Sequence, residues 1–145
     1  MKFDAIIKEL KNKIYKPIYF LHGEEPYFID LITNYIADNV LDDSEKAFNM
    51  TVVYGKDSVV EDIDSAAKRF PMMANHQVII VKEAQDLKKI DNLVYYAQNP
   101  LKSTILVINY KYKKLAKNKK LYKALDKSGV IFESKKLYDN QFRHG

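Results

Sequence analysis

Five short apolar runs divide the chain: IYFL at 18–21, TVVY at 51–54, VIIV at 78–81, ILVI at 105–108 and VIF at 130–132. The first of these, without polar alternation, is how a central parallel strand covered by helices on both faces reads. Between them the apolar positions change to helical spacing. Phe3, Ile6, Ile7, Leu10 and Ile14 predict an opening amphipathic helix, and Tyr27/Phe28, Leu31/Ile32 and Tyr35/Ile36 predict a second with one broad stripe. Residues 41–49, LDDSEKAFN, read as a polar connection. Val59/Val60, Ile63, Ala66/Ala67 and Phe70 predict a helix opened by a Ser58/Glu61 capping box and closed by Pro71. Leu87, Ile90, Leu93, Val94 and Ala97 predict another. Leu121 and Leu125 predict the last, stopped by Gly129. Strands and helices alternate throughout, so the expected fold is α/β, a five-stranded parallel sheet flanked by helices with right-handed crossovers.

The first run leads straight into the segment HGEEPYFID. Gly23 permits a sharp turn, Pro26 suits the first helical position, and Glu24 and Glu25 suit the positive end of a helix. This is the place of a phosphate-binding loop, and the pattern G-x-x-x-x-G-K-[ST] begun at Gly23 would need Gly, Lys and Ser/Thr at the next fixed positions. Phe28, Ile29 and Asp30 stand there instead. A second test lies after the third strand, where an ATPase of this architecture carries an Asp-Glu pair to hold magnesium and polarise water. Lys82 and Glu83 occupy those positions, and a cation there would repel the ion. Two independent parts of an ATP site are therefore missing, and neither cofactor nor metal is expected.

Composition narrows the class further. A chain of 145 residues that is 47% hydrophobic, with 4 Gly and 4 Pro, reads as one globular domain. It has 0 Cys, which excludes disulfides and cysteine-ligated zinc and suits a reducing cytoplasm. The opening MKFDAIIKELKNK has no apolar core of a signal peptide, and no stretch reaches the roughly 18 apolar residues of a membrane span. A soluble, cytoplasmic protein with no membrane partner is expected.

Two surface features carry candidate chemistry. Residues 111–127 hold eight lysines against one aspartate, a net +7 in a chain of net +5, so the remainder is at −2. Lys111, Lys113, Lys114, Lys117, Lys119, Lys120 and Lys123, interleaved with Tyr110, Tyr112 and Tyr122, could meet DNA phosphates, although lysine-rich solvated helices are ordinary and nothing here reads bases. The second feature is Phe70-Pro71-Met72-Met73. Two adjacent methionines after a helix-stopping proline cannot both turn inward easily, so at least one is expected at the surface. The competing reading makes them adaptable plugs at the end of the core.

The strand–GEE–apolar-helix opening, FPMMANHQVIIV at 70–81, STILVINYKYKKLAKNKKLYKAL at 103–125 and GVIFESKKLYDNQ at 129–141 together resemble the N-terminal domain of the delta subunit of the bacterial DNA polymerase III clamp loader. That family is a degenerate branch of the AAA+ ATPases, with a P-loop NTPase-like sheet. The resemblance implies a non-catalytic subunit domain that binds the ring-shaped sliding clamp (the beta subunit) and opens it for loading on primed DNA, using ATP hydrolysed by other clamp-loader subunits. It places the clamp-inserting apolar pair at Met72 and Met73, where the family usually has an aromatic second member. It also implies that residues 1–141 are the first domain of a longer protein, with 142–145 departing from the pattern as an appended tail. Other classes remain to be weighed: an active P-loop NTPase, which Ile29 and Lys82 oppose; a phosphoacceptor receiver domain, which needs an aspartate where Lys82 stands; and a stand-alone nucleic-acid-binding domain using residues 111–127.

Overall fold

The structure, a computed structural model, describes residues 1–136. Helix α1 (Phe3–Lys11) leads to strand β1 (Ile18–Gly23) and helices α2 (Pro26–Asn39) and α3 (Asp43–Asn49). Strand β2 (Met50–Tyr54), helix α4 (Val60–Ala67) and strand β3 (Gln77–Lys82) follow. Helix α5 (Val94–Gln98), strand β4 (Thr104–Lys111), helix α6 (Lys120–Ser128) and strand β5 (Val130–Glu133) complete the described chain. All pairings are parallel, in the order β2-β3-β4-β1-β5, so the expected five-stranded sheet is present. β4 is central, and β1 lies between it and the edge strand β5, with Phe20 in register with Ile108 on one side and Ile131 on the other.

Because side chains alternate across a strand, each central run splits between two cores. Ile18, Phe20, Ile79, Val81, Leu106 and Ile108 face α4, α5 and α6. Tyr19, Leu21, Val78, Ile80, Ile105 and Val107 face α1 and α2, through Ile6, Leu10, Ile29, Ile32 and Ile36. Helices thus cover both faces, which is why these strands read as unbroken apolar runs.

Several local expectations are corrected. Residues 43–49 are a helix rather than a connection, and its start carries the capping box expected elsewhere: the Asp42 carboxylate accepts from the Glu45 N–H while the Glu45 side chain accepts from the Asp42 N–H. At α4 no such box forms. Gly55–Asp57 makes a tight 3-10 turn, the Ser58 N–H bonds back to Gly55, and Val59 becomes the N-cap with no side-chain bond. α1 stops at Lys11, and Ile14, after the left-handed Lys13, is exposed. On α2 the buried face is Ile29, Ile32, Thr33 and Ile36, while Tyr27 and Leu31 look outward. The continuous helix expected through Leu87 and Ala97 is two 3-10 turns and the five-residue α5, interrupted by left-handed Lys89, although Leu87, Leu93, Val94 and Ala97 are buried as expected. Phe70 lies beyond the end of α4 and is exposed. The expectations for residues 137–141 and for the tail at 142–145 lie outside the described residues.

Candidate functional site

The turn after β1 is closed by the chain's own backbone. Gly23 has φ +122°, and a Cβ there would stand 2.2 Å from the Ser134 carbonyl oxygen, so only glycine fits. The Gly23 N–H donates to Lys113 O at 2.9 Å, and the Glu25 N–H donates to Ser134 O at 3.3 Å. The Tyr27 N–H, at the start of α2, is taken by the Glu25 carboxylate at 3.2 Å. Phosphates bind such turns by accepting from free amides at a helix start. Here three of those amides already have acceptors, one of them an anion. Of the other expected residues, Ile29 is fully buried, Phe28 packs partly against the same core, and Glu24 is exposed.

Asp30 stands where a phosphate-binding loop would carry its metal-holding hydroxyl. Its partner is Lys111, the last residue of β4, whose Nζ lies 2.7 Å from Asp30 Oδ1 and 3.9 Å from Glu83 Oε2. Gln85 completes the arrangement: its Oε1 accepts from the Lys111 N–H at 3.0 Å and its Nε2 donates to Glu83 Oε1 at 2.8 Å. Lys82 ends β3 half-buried and Glu83 follows in a left-handed conformation, φ 52°. An ammonium on β4 therefore sits between the two carboxylates that flank the turn and β3. Sequence reasoning grouped Lys111 with the surface lysines; its side chain is only 13% exposed. Among the described residues no cluster of His, Cys, Asp or Glu is arranged to hold a metal ion.

Next to this turn, His22 is buried at 3% exposure, and its Nδ1 accepts from the Leu115 N–H at 2.9 Å. Burial pushes its pKa down to about 4, with Lys114 adding to the effect and Glu133 opposing it. A neutral imidazole is what this geometry needs, since a protonated Nδ1 cannot accept.

The loop between α4 and β3 is anchored at its ends and middle and apolar at its tip. At the base, the two hydrogens of Gln77 Nε2 are shared among Ala66 O at 2.9 Å, Arg69 O at 2.6 Å and Thr104 Oγ1 at 2.9 Å, while Thr104 Oγ1 donates to Ala67 O at 2.6 Å. The last carbonyls of α4, which have no partner within the helix, are thus satisfied from the sheet. In the middle, Asn49 at the end of α3 bonds both backbone groups of Met72. Beyond these anchors Phe70 is 75% exposed, Met72 61% and Met73 101%, with Pro71 partly covered. Both methionines face outward, one more than the minimum expected, and neither is a core plug. Met73 also adopts φ +56°, a region that non-glycine residues enter at a cost of about 1–3 kcal/mol. Asn49 and Gln77 were not legible as site residues in the sequence.

The lysine segment is split by the fold. Lys111 turns inward; Lys114 pairs with Glu133 at 3.5 Å and Lys119 with Asp91 at 3.3 Å. Lys113, Lys117, Lys120 and Lys123 are exposed, as is Tyr112 at 62%. Among the described residues no helix is long and apolar enough to cross a membrane.

Comparison with known proteins agrees with the resemblance. A family model described as DNA polymerase III, delta subunit, matches residues 19–135. The chain is 33% identical over 147 residues to DNA polymerase III subunit delta of Bacillus subtilis (strain 168), an alignment covering 94% of this chain and 42% of that protein. The solved structure of the Bacillus subtilis DNA clamp loader delta protein superposes with a TM-score of 0.85 at 28% identity, covering 96% of this chain and 44% of the other. A DNA polymerase III gamma subunit-related protein of Thermotoga maritima superposes with a TM-score of 0.60 at 13% identity, over 98% of this chain and 48% of that one, a likeness of fold alone. The chain spans about two fifths of the length of its delta relatives. With an AAA+-like parallel sheet and a family match over most of its length, the chain belongs to the DNA polymerase III delta-subunit family.

Proposed function

We propose that this domain is the clamp-binding part of a clamp-loader delta subunit: it docks Met72 and Met73 into the sliding clamp and holds one clamp interface open for loading on primed DNA. The observation that carries this reading is the exposed, anchored Phe70-Pro71-Met72-Met73 loop, because two adjacent methionines left in water by a fixed backbone are suited to a partner's apolar pocket. The domain contributes no ATP hydrolysis of its own. That part of the reading is supported by the occupied amides of the Gly23 turn and by the ammonium of Lys111 between Asp30 and Glu83. Partner subunits of the clamp loader would supply the hydrolysis.

Changing Met72 and Met73 together to Ala tests the proposal. Burying each methionine in a pocket is worth roughly 1.5–3 kcal/mol, so clamp affinity should fall on the order of a hundredfold or more. Since both side chains are exposed, the melting temperature should hardly move. Unchanged clamp affinity in a folded variant defeats the reading.

A weaker second contact, with DNA phosphates, is favoured by exposed Lys113, Lys117, Lys120 and Lys123 around exposed Tyr112. Such binding would be independent of sequence and would fall steeply with salt. Reversing the charges of Lys117, Lys119 and Lys120 should abolish it, and binding that survives would leave the segment as a solvated face.

A further inference from the structure

The methionine loop is held at its middle by one side chain that comes from another part of the chain. Asn49 is the last residue of α3 and is 3% exposed. Its Oδ1 accepts from the Met72 N–H at 2.7 Å, and its Nδ2 donates to Met72 O at 2.9 Å and to Glu45 O at 3.0 Å. A carboxamide offers a donor and an acceptor side by side, as a neighbouring strand's peptide would, so it can satisfy both backbone groups of one residue at once. It does so at Met72, whose side chain and that of the adjacent Met73 are both exposed.

The placement of Asn49 follows from α3. The reciprocal bonds between Asp42 and Glu45 fix the start of that helix, and seven residues later its end meets the loop. Gln77 holds the base of the same loop to α4. With base and middle both fixed, the chain bends through residues 72–75, and Met73 takes a left-handed conformation there.

We propose that Asn49 is a positioning residue for clamp docking: by bonding both backbone groups of Met72 it holds the methionine pair in the arrangement the clamp receives. The proposal rests on the reading of Met72 and Met73 as the clamp-binding pair. A loop that is already ordered loses less backbone freedom on docking, and ordering even one residue costs enough to change affinity by about tenfold. Asn49 touches no partner itself and acts only through Met72.

The test is a titration of the cognate sliding clamp against the unaltered chain, Asn49→Ala, the Met72→Ala/Met73→Ala pair, and the triple combination, with a thermal melt of each. Asn49→Ala is expected to weaken clamp binding by about tenfold while the melt shows a folded domain. Added to the methionine pair, it is expected to weaken binding no further, because the groups it positions are gone. Asn49→Asp serves if the alanine variant fails to fold: it keeps the acceptor for the Met72 N–H, loses the donor to Met72 O, and should show the same non-additive loss. Full affinity in a folded Asn49 variant overturns the proposal. So does an equal loss in both backgrounds, which would make Asn49 a general prop of the fold. If the methionine pair can be removed without loss of clamp affinity, the clamp-binding reading itself fails, and that outcome is separate from the other two.

Discussion

Acidification should destabilise this domain well above the carboxylate range, and His22 is the reason. In the fold its Nδ1 accepts from the Leu115 N–H, and its ring lies between Phe20 of β1 and Tyr122 of α6, with Glu133 of β5 and Lys114 as the charged groups acting on it. Burial lowers its pKa from 6.5 to about 4. Between those values the unfolded chain binds a proton that the folded chain refuses, so stability rises with pH. The contribution is fully present above 6.5 and is lost as pH falls toward about 4. At about 1.4 kcal/mol per pH unit the full effect is about 3 kcal/mol, of which about 2 kcal/mol disappears between about pH 7.5 and pH 5. For a domain of this size that is a fall in melting temperature of roughly 4–8 °C. Burial also lowers the pKa of His76, so the same window holds a second contributor, and His22 must be isolated. His22→Asn does so, since its amide oxygen can accept near the position of Nδ1 and does not titrate. The variant should be less stable at neutral pH, because ring packing is lost, and its melting temperature should depend on pH much less steeply. Asp42, held below its ordinary 3.8 by the Glu45 N–H and the Ser44 hydroxyl, loses its contribution only at lower pH and so leaves this window clear. Equal melting temperatures at about pH 7.5 and pH 5, or the same slope in His22→Asn, would refute the reasoning.

Lys111→Met should cost about 1–2 kcal/mol in urea denaturation, because it leaves the Asp30 and Glu83 carboxylates without the ammonium between them; Asp30→Asn in the same background should recover part of the loss, and additive effects would rule out the pairing. Gly23→Ala should cost at least about 3 kcal/mol, since the new methyl meets the Ser134 carbonyl at 2.2 Å at a φ that disfavours it; a normally stable variant would mean that the turn opens easily. Calorimetry with ATP and magnesium should give no saturable heat, because a micromolar site requires about 8 kcal/mol from groups that are absent or already bonded to the protein; a micromolar, magnesium-dependent isotherm would defeat the non-ATPase reading.

β1, β3 and β4 were legible because helices bury them on both faces, whereas β2, whose Thr51, Val52 and Tyr54 are exposed, showed only as a run of strand-forming residues. Short elements were less so. α3 shows few apolar positions, and its strongest signal, the Asp42/Glu45 pair, sits in a segment whose polarity suggested a connection. The apparent box at Ser58 failed because the backbone before it is committed to the Gly55 turn. Exposure of at least one of the two methionines could be anticipated from their place after Pro71, although α4 ends at Ala67, before the proline expected to close it. Their anchor could not: Asn49 reaches Met72 across 23 positions of sequence, and a lone asparagine carries no local mark of such a contact. Lys111 is a similar case, since a lysine at the head of a basic run looks like its neighbours until the fold brings Asp30 to it.

A positive charge carried on a side chain differs from a bound ion in having no dissociation equilibrium with the solution. The ammonium of Lys111 is delivered to Asp30 and Glu83 by β4 itself, so its occupancy is set by the fold and not by the cell's pool of divalent cations. Chelators cannot remove it, and competing metals must displace a tethered group whose local concentration is high. The junction of β1, β3 and β4 therefore keeps one charge balance while magnesium levels change around it.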